Sequence, residues 1–213
     1  MRPTLVGDLG DLGDLGDLGD LGEPGRTPDS KLIGLVRAPW TLRVGATALT
    51  VRPSFARDLA AAAQMNSRCS ARSLLDRYRA GGRPPTVAAL DATLRGPLSV
   101  VVASADGSIV ATGALTRDRA HNPFCAEVGM LVQDSWQRRG IGRELLAHLA
   151  GAAHAAGFHE LIAYPATAVV VAQRLMVDVG RTRMVPDVDM HLHTYLAESA
   201  TLGLGSVRQR LAG

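Results

Sequence analysis

Lysine is all but missing from this 213-residue chain: Lys31 stands alone, and every other basic side chain apart from histidine is an arginine. Alanine and glycine are abundant as well, so the arginine excess follows a general compositional bias and makes no case by itself for a polyanionic partner. Cysteine is scarce too. Cys69 and Cys125 are too few for a disulfide framework and lack metal-ligand spacing, so they read as reduced thiols of a cytoplasmic protein. No apolar run approaches the roughly 20 residues that span a bilayer, and the N-terminus lacks the continuous apolar core of a signal peptide. Aromatic residues make up only 4% and do not interleave the basic positions, and no zinc-finger or RNP-like pattern occurs. A membrane protein and a nucleic-acid binder are therefore not expected. What is present, 46% hydrophobic against 20% charged residues, suffices for one domain with a sizeable core.

Gly7 to Gly22 reads GDLGDLGDLGDLGDLG. Its period of three fits neither helix nor strand, and glycine at every third place is costly to order. Residues 1–30, closing on the breaker cluster Glu23-Pro-Gly-Arg-Thr-Pro28, are expected to form a disordered low-complexity tail. Setting the tract's five aspartates aside raises the net charge from +3 to +8, a basic body suited to an anionic ligand. Residues 31–45 are left open between a loop and an added strand.

A regular domain is expected over 46–197. Leu49-Thr-Val51 is a short strand ending at Pro53, and Ser54 is placed to cap a helix reaching Asn66. Ser70 starts a second helix, stopped at Gly81-Gly82, and Thr86 caps a third. Leu98–Ser104 and Ile109–Leu115 flank the hairpin signal Ala-Asp-Gly-Ser, and Ala126–Val132 follows as a third strand. The spacing of Ile141, Leu145, Leu146 and Leu149 predicts an amphipathic helix to Ala155. A buried strand at Leu161–Tyr164, a helix over Ala166–Val179 closed by Gly180, and a strand or strand pair from Met184 to Leu196 complete the order. That order is a mixed α/β (α+β) fold on one mostly antiparallel sheet.

The stretch WQRRGIGREL, Trp136 to Leu145, lies between a strand and a helix, where unpaired helix N–H groups and close backbone approach at glycine favour an anion. A dinucleotide-binding turn is incomplete here, because the third glycine position is Leu145. A Walker loop is excluded by the missing Gly-Lys-Ser/Thr. A plain strand-to-helix turn also fits the glycines alone. The longer span Val132-Gln-Asp-Ser-Trp-Gln137-Arg-Arg-Gly140-Ile-Gly142 resembles the Q/R-x-x-G-x-G/A signature of the GNAT-fold N-acetyltransferases. With the flanking elements the resemblance covers roughly residues 48–182. Cys69 to Tyr78 and Pro84-Pro85 further resemble the branch containing bacterial protein-lysine acetyltransferase domains.

The resemblance implies acetyl-CoA as co-substrate and an amine acceptor, either protein lysine or a small molecule, with direct acetyl transfer. It makes Gln137, Arg138, Arg139, Gly140, Ile141 and Gly142 the pyrophosphate loop, with backbone N–H groups as main donors. The side chains of Arg138 and Arg139 either meet the nucleotide phosphates or face water. Met130, Leu131 and Val132 become the splayed strand edge for the pantetheine arm, with a strand N–H near Leu131 as donor to the thioester oxygen. Glu127 is the implied general base; its bland alternative is a surface glutamate paired with an arginine. The family's usual proton-donating tyrosine falls on Met176, and its asparagine on Val169, so Tyr164 is carried forward as a substitute acid. That departure also sustains a second reading, a regulatory acyl-CoA-binding domain with little turnover. His191-x-His193 is half of a metal site at most, and no metal is expected. Oligomeric state is left open, a homodimer included.

Overall fold

Gly45, at φ +61°, turns the chain between strands β1 (Trp40–Val44) and β2 (Thr47–Pro53), so the segment left open in the sequence contributes a hairpin ahead of residue 46. The computed structural model describes residues 39–96, 98–117, 122–186 and 190–197; the expected tail lies outside them. Strands β3 (Ser99–Ala103), β4 (Ile109–Arg117) and β5 (Cys125–Val132) continue the antiparallel meander, with Gly107 supplying positive φ at the β3–β4 turn. β6 (Glu160–Ala163) then joins β5 in parallel, and β7 (Gly180–Val185) and β8 (His191–Leu196) close an eight-stranded sheet of order β1-β2-β3-β4-β5-β6-β8-β7. The mixed, mostly antiparallel architecture is the one expected.

Helices cover both faces, because β5 is flanked by paired strands and its two sets of alternating side chains both need partners. On one face α1 (Leu59–Ser67), α2 (Ala71–Tyr78) and α3 (Val87–Leu94) bury Met65, Leu74, Leu90 and Leu94 against Val101, Ile109 and Leu131. On the other, α4 (Ile141–Ala155) packs Ile141, Leu145, Leu146 and Leu149 onto Val110, Ala126 and Val128, with α5 (Val169–Met176) beside it. α4 has the bounds its periodicity predicts. Among the described residues no helix is long and apolar enough to cross a membrane.

Three local expectations are corrected. Ser54 does not cap α1: its Oγ donates to the Leu94 carbonyl at 2.6 Å, and a short turn at Ala56–Asp58 intervenes. That turn is fixed by Asp58, which accepts from the Phe55 N–H at 2.8 Å and pairs with Arg52 at 2.7 Å. α2 stops before the glycine pair, at Arg79, whose left-handed φ of 56° ends it. Gly180 is no helix cap but the first residue of β7, and a Cβ there would lie 2.0 Å from the Tyr195 carbonyl oxygen. Close backbone approach within the sheet, not positive φ, therefore requires this glycine. Gly180→Ala is expected to destabilise by about 1–3 kcal/mol, as overpacking does. Urea unfolding should show a lower midpoint at unchanged slope, and an unchanged midpoint would count against the contact.

Candidate functional site

The β5–β6 pairing lasts only three residues, Cys125↔Glu160, Ala126↔Leu161 and Glu127↔Ile162, whereas β5 stays paired with β4 to Val132. The two strands part after Glu127. The Gln133 N–H donates to the Val110 carbonyl at 2.9 Å, which places odd-numbered β5 amides on the β4 side and even-numbered ones on the side of the gap. Met130 and Val132 thus carry the free edge, whereas the Val128 N–H still faces the Ile162 carbonyl through the last parallel pair. Leu131 does not: its amide faces β4 and its side chain is buried against the α1–α3 core, so the expected donor near Leu131 shifts to its neighbours.

A cleft of about 360 Å³ passes through this gap. One part of its wall is apolar, formed by Val128, Met130, Leu146, Leu175 and Met176. The other carries Asp76, Arg77, Arg79, Glu127 and Tyr164. Glu127 and Tyr164, named from the sequence as base and acid, therefore line one cleft together with Met130. Glu127 is exposed, and the Tyr164 ring lies 5.3 Å from that of His191. Met176 is 2% exposed and presents a thioether where the family pattern has a hydroxyl.

Past the strand end, Gln137 Nε2 donates to the Val132 carbonyl and to Ser73 Oγ, both at 3.0 Å. The expected loop residue Gln137 thus shapes the loop with its side chain. Arg138 is left-handed at φ 58° and Gly140 at φ 89°, the latter initiating α4. Arg143 and Glu144 N–H groups close the first helical bonds to the Gly140 carbonyl. Among the described residues, no hydrogen bond accepts from the five N–H groups of Arg138 through Gly142. Five consecutive unmet donors at a helix N-terminus make an anion cradle. Gly140 has open space where a Cβ would stand, and Gly142 meets nothing closer than 3.9 Å. Positive φ calls for glycine at position 140, and the space beside both glycines leaves the backbone there open to approach. Ile141 is a buried anchor at 1% exposure, so only its amide belongs to the loop surface. Arg139 rests over the Trp136 ring at 5.2 Å, and Arg143 pairs with Asp178 at 3.2 Å, while Arg138 is exposed.

Helix α2 ties the two ends of this region together. Asp134 accepts from the Ser70 N–H at 2.9 Å, Ser70 Oγ at 2.7 Å and Ser73 Oγ at 3.0 Å, binding the start of α2 to the loop. Asp76, two turns further, accepts from the Thr167 N–H, from Thr167 Oγ1 at 2.9 Å and from the Ala168 N–H at 3.0 Å, where α5 begins. Neither aspartate was singled out from the sequence; only the Ser70 cap hinted at the first.

Neither cysteine is presented to the cleft as an activated thiolate. Cys125 is fully buried and does not line the cleft. Burial, reinforced by Asp134 against the opposing Arg68, pushes the Cys69 thiol up to about 11, which keeps it protonated near neutrality. Tertiary structure does bring to His193 the partners that sequence spacing concealed: ligand atoms of Cys125, Glu160 and His193 lie within 4.8 Å of one another. Each comes from a different strand. The Glu160 carboxylate already pairs with His193 Nε2 at 2.6 Å and accepts from Asn122 at 3.2 Å.

The family model of the acetyltransferase (GNAT) family matches residues 70–179. Among solved structures, the GNAT domain of S. lividans PAT is similar, at 22% identity over 76% of this chain and 98% of that one, with a TM-score of 0.63. A putative acetyltransferase from Salmonella typhimurium, solved with its cofactor acetyl-CoA, aligns over 70% of this chain and 95% of its own at 20% identity and TM-score 0.55. The cAMP-binding acyltransferase from Mycobacterium smegmatis covers 84% of this chain at 21% identity and TM-score 0.55, and this chain spans about half of it, 54%. A search of curated protein sequences finds no match.

Removing the Asp134 carboxylate tests the tie between loop and helix. Asp134→Ala is expected to cost about 1 kcal/mol in urea unfolding, as the loss of a helix cap does. Desolvation raises the Asp134 pKa, but hydrogen bonds from Ser70 and Ser73 outweigh it and hold the carboxyl below the usual range. Its stabilisation is therefore present above the ordinary carboxylate value of about 3.9 and lost as pH falls through the lower folded value. The variant should lose less stability than the wild type across that acid window; identical acid limbs would refute the assignment.

Proposed function

The chain belongs to the GNAT acetyltransferase family, its model spanning residues 70–179, and from that premise we propose a cytoplasmic enzyme that acetylates a primary amine from acetyl-CoA by direct transfer. The observation that carries the proposal is the run of unmet N–H groups from Arg138 to Gly142, continuous with a splayed strand edge and an apolar cleft. Those features fit a pyrophosphate followed by an extended amide-bearing arm. The amides of the loop would hold the phosphates, with Arg138 adding charge, and the edge groups of Met130 and Val132 would pair with the arm. When bound, acetyl-CoA supplies an acetyl group activated as a thioester.

The residues on the polar wall meet the acceptor. An amine with pKa near 10.4 is mostly protonated at neutrality and carries no free lone pair. Glu127 takes that proton, directly or through water; the freed lone pair forms the C–N bond as the C–S bond breaks, and the thiolate leaves with its electron pair. The Met130 amide, at the gap, stabilises the charge developing on the carbonyl oxygen. Tyr164, which lines the same cleft, takes the part of the acid that returns a proton to the leaving sulfur in this reading. Met176 favours a second reading, an acyl-CoA-binding domain with little turnover.

Calorimetric titration of acetyl-CoA separates these readings from a bare turn. The wild type should bind about one per chain, and Gly140→Glu, which places a carboxylate in the cradle, should abolish binding. Failure of the wild type to bind would overturn the proposal. In Glu127→Gln, kcat is expected to fall by about 10²–10⁴-fold with the acetyl-CoA Kd unchanged. Saturable binding with no acetyl transfer to any amine by the wild type would establish the second reading instead.

A further inference from the structure

Arg77 is a buried charge with no ion pair among the described residues. Its Nε is buried with no hydrogen bond, and among the described residues no carboxylate pairs with its guanidinium. The group is seated on Gly129 of β5, where a Cβ would come within 2.5 Å of both Cζ and an Nη nitrogen. The Tyr78 ring lies 5.0 Å away, and the side chain lines the same cleft as Glu127 and Tyr164. Burial lowers its pKa against the smaller opposing pull of Tyr78 and Glu127. A desolvated guanidinium gains most from an anion that meets its planar fork in two places, and a carboxylate has that geometry.

The position says which molecule would bring the carboxylate. Glu127 and Gly129 share one face of β5, as residues two apart in a strand do, and so lie roughly 7 Å from each other. That face is opposite to the one on which Val128 and Met130 meet α4. An acceptor with its amine at Glu127 thus has its neighbouring substituent at Arg77. We propose that Arg77 is a specificity residue that takes the carboxylate of a small amino carboxylate whose amine is acetylated beside Glu127. The inference rests on the transferase reading above and names its acceptor class. The transfer is the one already balanced, with nitrogen gaining the acetyl, sulfur keeping the C–S electron pair, and the amine proton passing to Glu127.

The test follows thiol release from acetyl-CoA by the full chain with free α-amino acids, the matching amino-acid carboxamides, and a lysine peptide blocked at both ends. The preferred amino acid should exceed its carboxamide by at least about 100-fold in kcat/KM, because a site built for a polar group rejects the analogue lacking it. Arg77→Met should erase that preference chiefly through KM, and Arg77→Lys should restore part of it. Calorimetry of the preferred amino acid into the CoA-saturated chain should show binding that Arg77→Met loses, while both variants keep the wild-type acetyl-CoA Kd. Equal use of acids and carboxamides, a faster lysine peptide, or an undiminished preference in Arg77→Met would overturn this inference and leave the transferase standing. Absence of acetyl-CoA binding to the wild type would remove the transferase reading itself, and this one with it.

Discussion

β5 and β6 hold together through three residue pairs and then separate, and the site exists because of that separation. Backbone amides in a folded interior need partners. On its β4 side β5 has them to the end of the strand, but on the other side the Val128 carbonyl and the groups of Met130 and Val132 face a gap. Among the described residues a side chain meets only the last of these carbonyls, Gln137 at Val132. Filling the gap by continued pairing would require β6 to run on past Ala163, and it does not: Pro165 follows Tyr164, and the chain turns into α5. The result is a sheet whose defect is lined by hydrogen-bonding groups, open to a ligand that can pair as a strand would.

A gap of this kind needs its walls fixed, and α2 does that from one side. Its N-terminus is bound to the loop by Asp134, and its second turn to the start of α5 by Asp76. Both contacts join residues more than 60 positions apart in sequence. The helix is only eight residues long, too short to be stable alone, so these ends decide where it sits. Arg77 directly follows the second of these ties and is thereby placed over Gly129 rather than left to swing into solvent. The two non-glycine residues with positive φ among those described, Arg79 and Arg138, stand at the end of α2 and in the loop, the two places where the clamp bends the chain.

The parts of this arrangement that were legible in the sequence are those written in local pattern. Helix α4 and the loop before it could be read because Ile141, Leu145, Leu146 and Leu149 repeat at helical spacing and two glycines precede them. The Ser70 and Thr86 caps were legible for the same reason, since a cap bonds within three residues. Gly180 was misread because a glycine after an apolar helical run looks like a helix stop, whereas its cause is the Tyr195 carbonyl across the sheet. Ser54 was misread because its acceptor, Leu94, is 40 residues away. Asp76, Asp134, Arg77 and the approach of Cys125 and Glu160 to His193 left no local trace, each being a contact between elements distant in the chain.

Met176 bears on the chemistry in a way that basicity clarifies. A thiol of pKa about 8.5 gives a leaving group roughly two units less basic than an amine of pKa about 10.4. Near neutrality the larger barrier is therefore freeing the amine lone pair, and the departing thiolate needs less help. A cleft that keeps a carboxylate on its polar wall and replaces the family's hydroxyl with a buried thioether retains the more demanding half of the proton chemistry. The apolar surface of Met176 also continues the wall formed by Leu146 and Leu175, excluding water from a thioester held there. On the proposed transferase reading, the substitution exchanges a proton donor for an apolar wall, and Tyr164 is a hydroxyl that lines the same cleft.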